Sequence, residues 1–167
     1  MPENQTGEHR HVISALVENK PGVLAHIATL FSGRGFNIDS LAVGETEDPT
    51  LSRMTIVVKG DDAIIEQVRK QLEKIITVIK VTDFMHQDIV ERDLMLVRVN
   101  AAPGKRGEII EIADIFRAKI VDVGVKDIIV ELAGTEEKLQ ALLSLLRPYG
   151  IKEVARTGLI AMTRGQK

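Results

Sequence analysis

Apolar residues in this chain recur at two spacings, and the order in which those spacings alternate restricts the architecture more than any other feature. His11–Val17 is an apolar run that reads as a strand. Leu24, Ile27, Ala28 and Phe31 then recur at helical spacing over Val23–Arg34. Gly35 interrupts the helix, and Phe36–Gly44 reads as a second strand. After a polar turn at Glu45–Thr50, Leu51–Lys59 alternates as a third strand, with Met54, Ile56 and Val58 on one face and Arg53, Thr55 and Val57 on the other. Asp61 or Asp62 caps a helix running to about Lys74 that buries Ile65, Val68 and Leu72. Ile76–Asp83 is a fourth strand, so the order is βαββαβ.

The pattern then repeats after a connector at Phe84–Asp93. Leu94–Ala101 is a strand and Lys105–Arg117 a helix carrying Ile109, Ile112, Ala113 and Phe116. Ile120–Val125 and Ile128–Ala133 are strands around a tight turn. Thr135 opens a helix with Thr-x-x-Lys instead of a full capping box, and Leu139, Leu142, Leu143 and Leu146 form its apolar face. Glu153–Ala161 closes as one strand. The expected fold class is α+β: two ferredoxin-like βαββαβ units, each an antiparallel sheet in the strand order 4-1-3-2 with two helices on one face. The expected domains are 10–83, a connector at 84–92, and 93–164. Strands such as Val12–Val17 are apolar on both faces. Their open face is therefore expected to be covered by the other domain or by another subunit.

Composition removes several classes of function. The 167 residues are 44% hydrophobic and 28% charged with a formal net charge of −2, so no basic footprint for nucleic acid or an anionic membrane exists. Cysteine is absent, which removes thiolate catalysis and Cys-ligated metal and fits a cytoplasmic location. Met1–His9 lacks an apolar signal core, and no apolar run approaches the roughly 20 residues needed to span a bilayer. His9 and His11 share a strand face without a third ligand nearby, so a surface pair is expected and no metal site. Acylphosphatase-like catalysis on this fold would want an Arg in the first loop, which holds Lys20 instead. RNA binding would want aromatics on His11–Val17 and Leu51–Lys59, which have none.

One turn stands out. Asn19-Lys20-Pro21-Gly22-Val23-Leu24 joins the first strand to the first helix, with Pro near the first helical position. Gly22 leaves room against the backbone. The first amides of a helix are unpaired and carry the positive end of its dipole, which suits a carboxylate or phosphate. Asn19 reads equally as a helix cap. Pro103-Gly104 weakly echoes this turn in the second half.

Five stretches resemble the small regulatory subunit of acetohydroxyacid (acetolactate) synthase, whose first half is an ACT domain. They are Glu18–Leu24, Arg34–Leu41, Asp48–Ile56, Val90–Leu94 and Phe116–Val123, and the resemblance covers Arg10 to about Arg164. The third, Asp48-Pro49-Thr50-Leu51-Ser52-Arg53-Met54-Thr55-Ile56, is the most specific. The resemblance implies a bacterial, cytoplasmic, non-catalytic subunit of branched-chain amino-acid biosynthesis. It implies binding to the catalytic large subunit, activation of it, and feedback inhibition by valine or a related amino acid. No cofactor is expected in this chain; thiamine diphosphate, magnesium and FAD are expected on the catalytic partner. A stand-alone ACT-type amino-acid sensor is the alternative. No catalytic residue, nucleic acid or membrane partner is expected.

An amino-acid effector needs amide donors for its carboxylate, acceptors for its ammonium and a small apolar pocket. The expected effector residues are Asn19, Pro21, Gly22, Val23, Leu24, Asn37 and Ile38. Between Gly22 and Asn37 lies the whole first helix, whose roughly 13 predicted residues span about 20 Å. A valine is far shorter, so the two ends meet one ligand only if Asn37 comes from a second chain. Phe36–Val43, an edge strand free of Pro and Lys, would then lie beside its own copy across a two-fold axis. Arg53 is expected as a solvated edge charge or an inter-subunit contact.

Overall fold

The structure, a computed structural model, describes residues 9–165. It forms two compact units. Among the described residues the first ends at Val90 and resumes at Leu159, and the second is Glu91–Gly158. The first unit comprises β1 (His9–Glu18), α1 (Val23–Ser32), β2 (Ile38–Glu45), β3 (Leu51–Gly60), α2 (Asp62–Glu73) and β4 (Val78–Asp83). Its sheet is antiparallel in the order β2-β3-β1-β4, the expected 4-1-3-2 arrangement, with β2 and β4 as edges. One face packs on both helices. Ile13, Ala15, Val17, Met54, Ile56 and Val58 from the strands meet Val23, Ile27 and Phe31 of α1 and Ile65, Val68 and Leu72 of α2. Two-residue alternation in the strands and 3.6-residue recurrence in the helices make that face continuous. Asp61 caps α2 by accepting from the Ala63 amide at 2.7 Å.

The second unit repeats the plan. β5 (Ile89–Asn100), α3 (Arg106–Ile115), β6 (Lys119–Val123), β7 (Asp127–Gly134), α4 (Glu136–Leu146) and β8 (Ile151–Arg156) give the order β6-β7-β5-β8. A short 3-10 turn, Arg147–Tyr149, links α4 to β8. Its core joins Met95, Val97 and Val99 to Ile128, Val130 and Leu132 beneath Ile109, Ala113, Leu139, Leu142 and Leu146. Thr135 caps α4 through the Lys138 amide. β5 starts at Ile89, inside the expected connector.

The expected final strand is two strands. β8 ends at Arg156, Gly158 turns the chain at φ +92°, and β9 (Ile160–Thr163) follows. Val154-Ala155 and Leu159–Met162 both read as apolar, with no proline between, so the sequence joins them; the left-handed Gly158 separates them. The segment after Gly158 answers the question of the open face. Leu159 and Ala161 are buried against Val12, Val57 and Phe84, with Ile89 at the margin. The Leu159 amide donates to the Ser40 hydroxyl at 2.9 Å. Residues of the expected second domain, 93–164, thus lie on that face, although the structure counts the strap from Leu159 onward with the first unit.

Candidate effector site

α1 begins at a turn built by glycine. Gly22 has φ +86°, ψ −13°, the left-handed region, and is the N-cap residue. Pro21 therefore stands one residue before the cap and not at the first helical position. A Cβ on Gly22 would meet nothing within 4 Å, so the ground above the turn is open. The first helical bond runs from the His26 amide to the Gly22 carbonyl at 3.0 Å. The amides of Val23, Leu24 and Ala25 consequently have no acceptor within the helix. No side chain caps this end and no acidic residue sits in its first turn. The other helices of the described chain differ: the first turns of α2, α3 and α4 hold Asp62, Glu108, and Glu136 with Glu137. The α1 dipole thus meets no negative charge of its own.

The echo in the second unit shows the contrast. Gly104 is also left-handed at φ +85°, but α3 starts later, after Lys105. Glu108 occupies its first turn, accepting from the Lys105 ammonium at 2.9 Å and from the Tyr149 hydroxyl at 2.7 Å. Those donors, Tyr149 foremost, hold the Glu108 carboxyl below the usual carboxylate range.

Asn19 is not the helix cap. Its amide donates to the Thr50 carbonyl at 2.7 Å and its Nδ2 to the Pro49 carbonyl at 3.0 Å, tying the turn to the β2–β3 hairpin. That hairpin is stiffened by Asp48, whose Oδ1 accepts from the Thr50 hydroxyl at 2.7 Å and the Thr50 amide at 2.9 Å. Val23 is 6% exposed and belongs to the core, so its side chain is withdrawn from any pocket. Leu24 is 45% exposed, on the solvent side of α1 and not on its core face. Of this pair, Leu24 is the side chain free to line a ligand.

Asn37 and Ile38 lie elsewhere. Ile38 is half-buried against the first core at the start of β2. Asn37 is exposed, and its Nδ2 donates to Asp39 Oδ1 at 3.1 Å, which orients the amide and leaves its carbonyl oxygen free to accept. Asp39 also reaches Lys59 Nζ at 3.6 Å. Sequence reasoning passed over Asp39; the Asn-x-Asp spacing at a strand entry was its signal. The register separates the two groups. Glu18, just before the turn, pairs with Leu51, whereas Ile38 pairs with Val58. Those positions on β3 are seven residues apart, about 23 Å at ~3.3 Å per residue. The structure does not bring Gly22 and Asn37 of one chain together.

Arg53 is exposed on β3, inside the sheet, and its Nη1 donates to Ser14 Oγ at 3.2 Å. One further residue departs from expectation. His11 is not a surface residue. It is 2% exposed, with Nε2 3.1 Å from Asp62 Oδ1 but out of hydrogen-bond alignment. The start of α2 covers it, a contact invisible to strand periodicity. No group of three or more His, Cys, Asp or Glu that could hold a metal occurs among the described residues. No helix among them is long and apolar enough to cross a membrane.

The β2-β3-β1-β4 sheet with both helices on one face, entered through a glycine turn at an uncapped helix start, defines an ACT-type domain. Residues 13–80 match the family model for the "AHAS small subunit-like ACT domain", and residues 92–165 match the model for the small subunit of acetolactate synthase. The chain is 59% identical over 158 residues to an Archaeoglobus fulgidus protein named "Probable acetolactate synthase small subunit", covering 95% of this chain and 99% of that one. It is 51% identical to the Mycolicibacterium smegmatis acetolactate synthase small subunit, covering 96% and 95%. The crystal structure of the Thermotoga maritima acetolactate synthase small subunit superposes with a TM-score of 0.86 at 45% identity, covering 95% and 99%. The chain belongs to the family of acetolactate synthase small subunits. Membership implies a regulatory role in branched-chain amino-acid synthesis.

Proposed function

We propose that this chain activates the catalytic large subunit of acetolactate synthase and makes it sensitive to valine through an effector site shared between two copies. The observation that carries the reading is the bare N-terminus of α1: three free amides above a left-handed glycine, with open space and no resident carboxylate. A valine carboxylate accepts from those amides. Its ammonium needs an acceptor, which the Asn37 carbonyl oxygen offers. Its isopropyl group packs on Leu24 and Ile38. The register supports a partner as the source of Asn37 and Ile38. β2 is an edge strand, and antiparallel pairing with its own copy brings the partner's Ile38 end beside this chain's Glu45 end. Glu45 pairs with Ser52, next to Leu51, so this is the end where the Gly22 turn sits. Two such sites arise per two-fold axis, and effector binding then acts on subunit geometry.

In this reading the chain works in the cytoplasm and carries no chemistry of its own. Thiamine diphosphate, magnesium and FAD belong to the catalytic large subunit. The test is an acetolactate assay of that purified subunit, with and without this chain, across added valine, leucine and isoleucine. The chain raises the rate and valine lowers it; absence of any rise overturns the regulatory reading. Mixing Gly22→Asp and Asn37→Ala chains, each defective alone, restores about one intact site per heterodimer. Mixtures that bind valine no better than either variant alone overturn the shared site.

A further inference from the structure

The β4 edge of the first sheet holds a second candidate site, lined from the open face and, through Arg69 of α2 and Asp83, from the helix side; it shares no residue with the effector turn or with Asn37–Ile38. It is a cleft of about 660 Å³ whose walls include Arg53, Arg69, Lys80, Thr82, Asp83 and, from the strap, Met162. Strand register shows how it is built. Leu16 on β1 pairs with Arg53 on one side and Lys80 on the other, which sets both cations on the same face. They stand two strands apart, about 10 Å at ~4.8 Å per strand, within joint reach of these two long side chains. The adjoining row of that face is Thr55, Ser14 and Thr82, all hydroxyl-bearing. Ser14 is 1% exposed and holds the Arg53 guanidinium against the sheet through a single hydrogen bond.

The cations differ in how far they are already satisfied. Arg69 is engaged by Glu66 at 2.6 Å and Glu73 at 2.5 Å. Among the described residues, Arg53 and Lys80 have no carboxylate within 4.0 Å. A guanidinium folded onto a sheet by a neutral hydroxyl keeps most of its donors for a planar, two-oxygen acceptor. Asp83 is the one carboxylate in the lining; it pairs opposite Ile13, on the helix-facing side, and its Oδ1 already accepts from the Met85 amide at 2.9 Å. Its charge disfavours a polyanion and leaves room for a compact one.

We propose that this cleft binds a single compact anionic group, a carboxylate or a phosphate, between the Arg53 guanidinium and the Lys80 ammonium, with the Thr82 hydroxyl as a further donor. Two sources present that chemistry: a free metabolite anion, and an Asp or Glu side chain of the catalytic large subunit. The first arm of the test titrates the full-length chain with acetate and with inorganic phosphate, following the Arg53 Nε–H and Thr82 amide resonances. Saturable shifts that weaken about tenfold in Arg53→Gln and in Lys80→Gln, and less in Arg53→Lys, assign a free anion. Lys80 is exposed on an edge strand, so its variant reports even if Arg53→Gln perturbs the fold. The second arm titrates the catalytic large subunit. Affinity that falls about tenfold in both variants, with no response to the free anions, assigns an acidic side chain of that subunit. No saturable response in the first arm and unchanged affinity in the second overturn the proposal.

Discussion

Replacing Gly22 separates backbone strain from anion binding, because alanine and aspartate at this position act in opposite orders on stability and on affinity. The native φ of +86° lies where an L side chain costs about 1–2 kcal/mol. A Cβ there meets nothing within 4 Å, so no steric term is added. Gly22→Ala should therefore lower stability by about 1–2 kcal/mol, roughly 4–16 °C in the melting of a unit this size. Gly22→Asp suffers the same strain, but its carboxylate faces an α1 terminus that lacks any acid and recovers about 0.3–1 kcal/mol from the dipole. Aspartate should thus be the more stable of the two variants. For valine the order reverses. A second carboxylate about 4 Å from the ligand's costs about 1–4 kcal/mol between bulk-water and near-surface screening, about fivefold to a thousandfold in affinity. Alanine leaves the amides unobstructed and weakens binding only a few-fold. Urea unfolding gives the first order and calorimetry with valine the second, while activation of the catalytic subunit persists in both. If aspartate proves less stable than alanine, or binds valine as wild type does, the helix start is not an anion site.

The strap and one surface ion cluster supply two further tests. Leu159→Ala removes a side chain that is 1% exposed over Val12, Val57 and Phe84, and should cost about 2–5 kcal/mol in urea unfolding of the first unit; a loss under about 0.5 kcal/mol would show that the strap does not cover this face in solution. Asp127 is held below the usual carboxylate range, chiefly by its hydrogen bond from Lys152 at 3.1 Å and then by Arg98. As pH falls, the unfolded chain takes up that proton first, so the stabilisation is present above the ordinary carboxylate value and is lost as pH drops through the lower folded value. The urea midpoint of wild type should fall toward that of Asp127→Asn as pH drops below about 4 and through the lower folded value, and a constant gap between the two would show that the cluster contributes nothing.

Much of the fold was legible because its signals are local. Two-residue alternation in Leu51–Gly60 and helical recurrence of Ile65, Val68 and Leu72 identify elements and core faces from neighbours in sequence. Asp61 and Thr135 announce their helices as caps, and Pro21-Gly22 announces the turn that begins α1. The split of the final strand at Gly158 was a local miss; other failures are cases where a distant segment decides. His11 looked like a surface residue until the start of α2 lay over it. Leu24 looked like part of the α1 apolar stripe until packing sent Val23 inward and left Leu24 outside.

By itself, then, the sequence determined the βαββαβ order, its repetition, the faces that become cores, and a glycine turn where the first helix begins. Those properties depend on residues within one turn or one pleat of each other. Only the tertiary structure decided that the last residues strap the open face of the first sheet, since the Leu159–Ser40 hydrogen bond spans 119 positions of chain. The length of the first helix already separated the Gly22 turn from Asn37; strand register decided which ends of β3 they lie beside, because register is a choice among partners far apart in sequence.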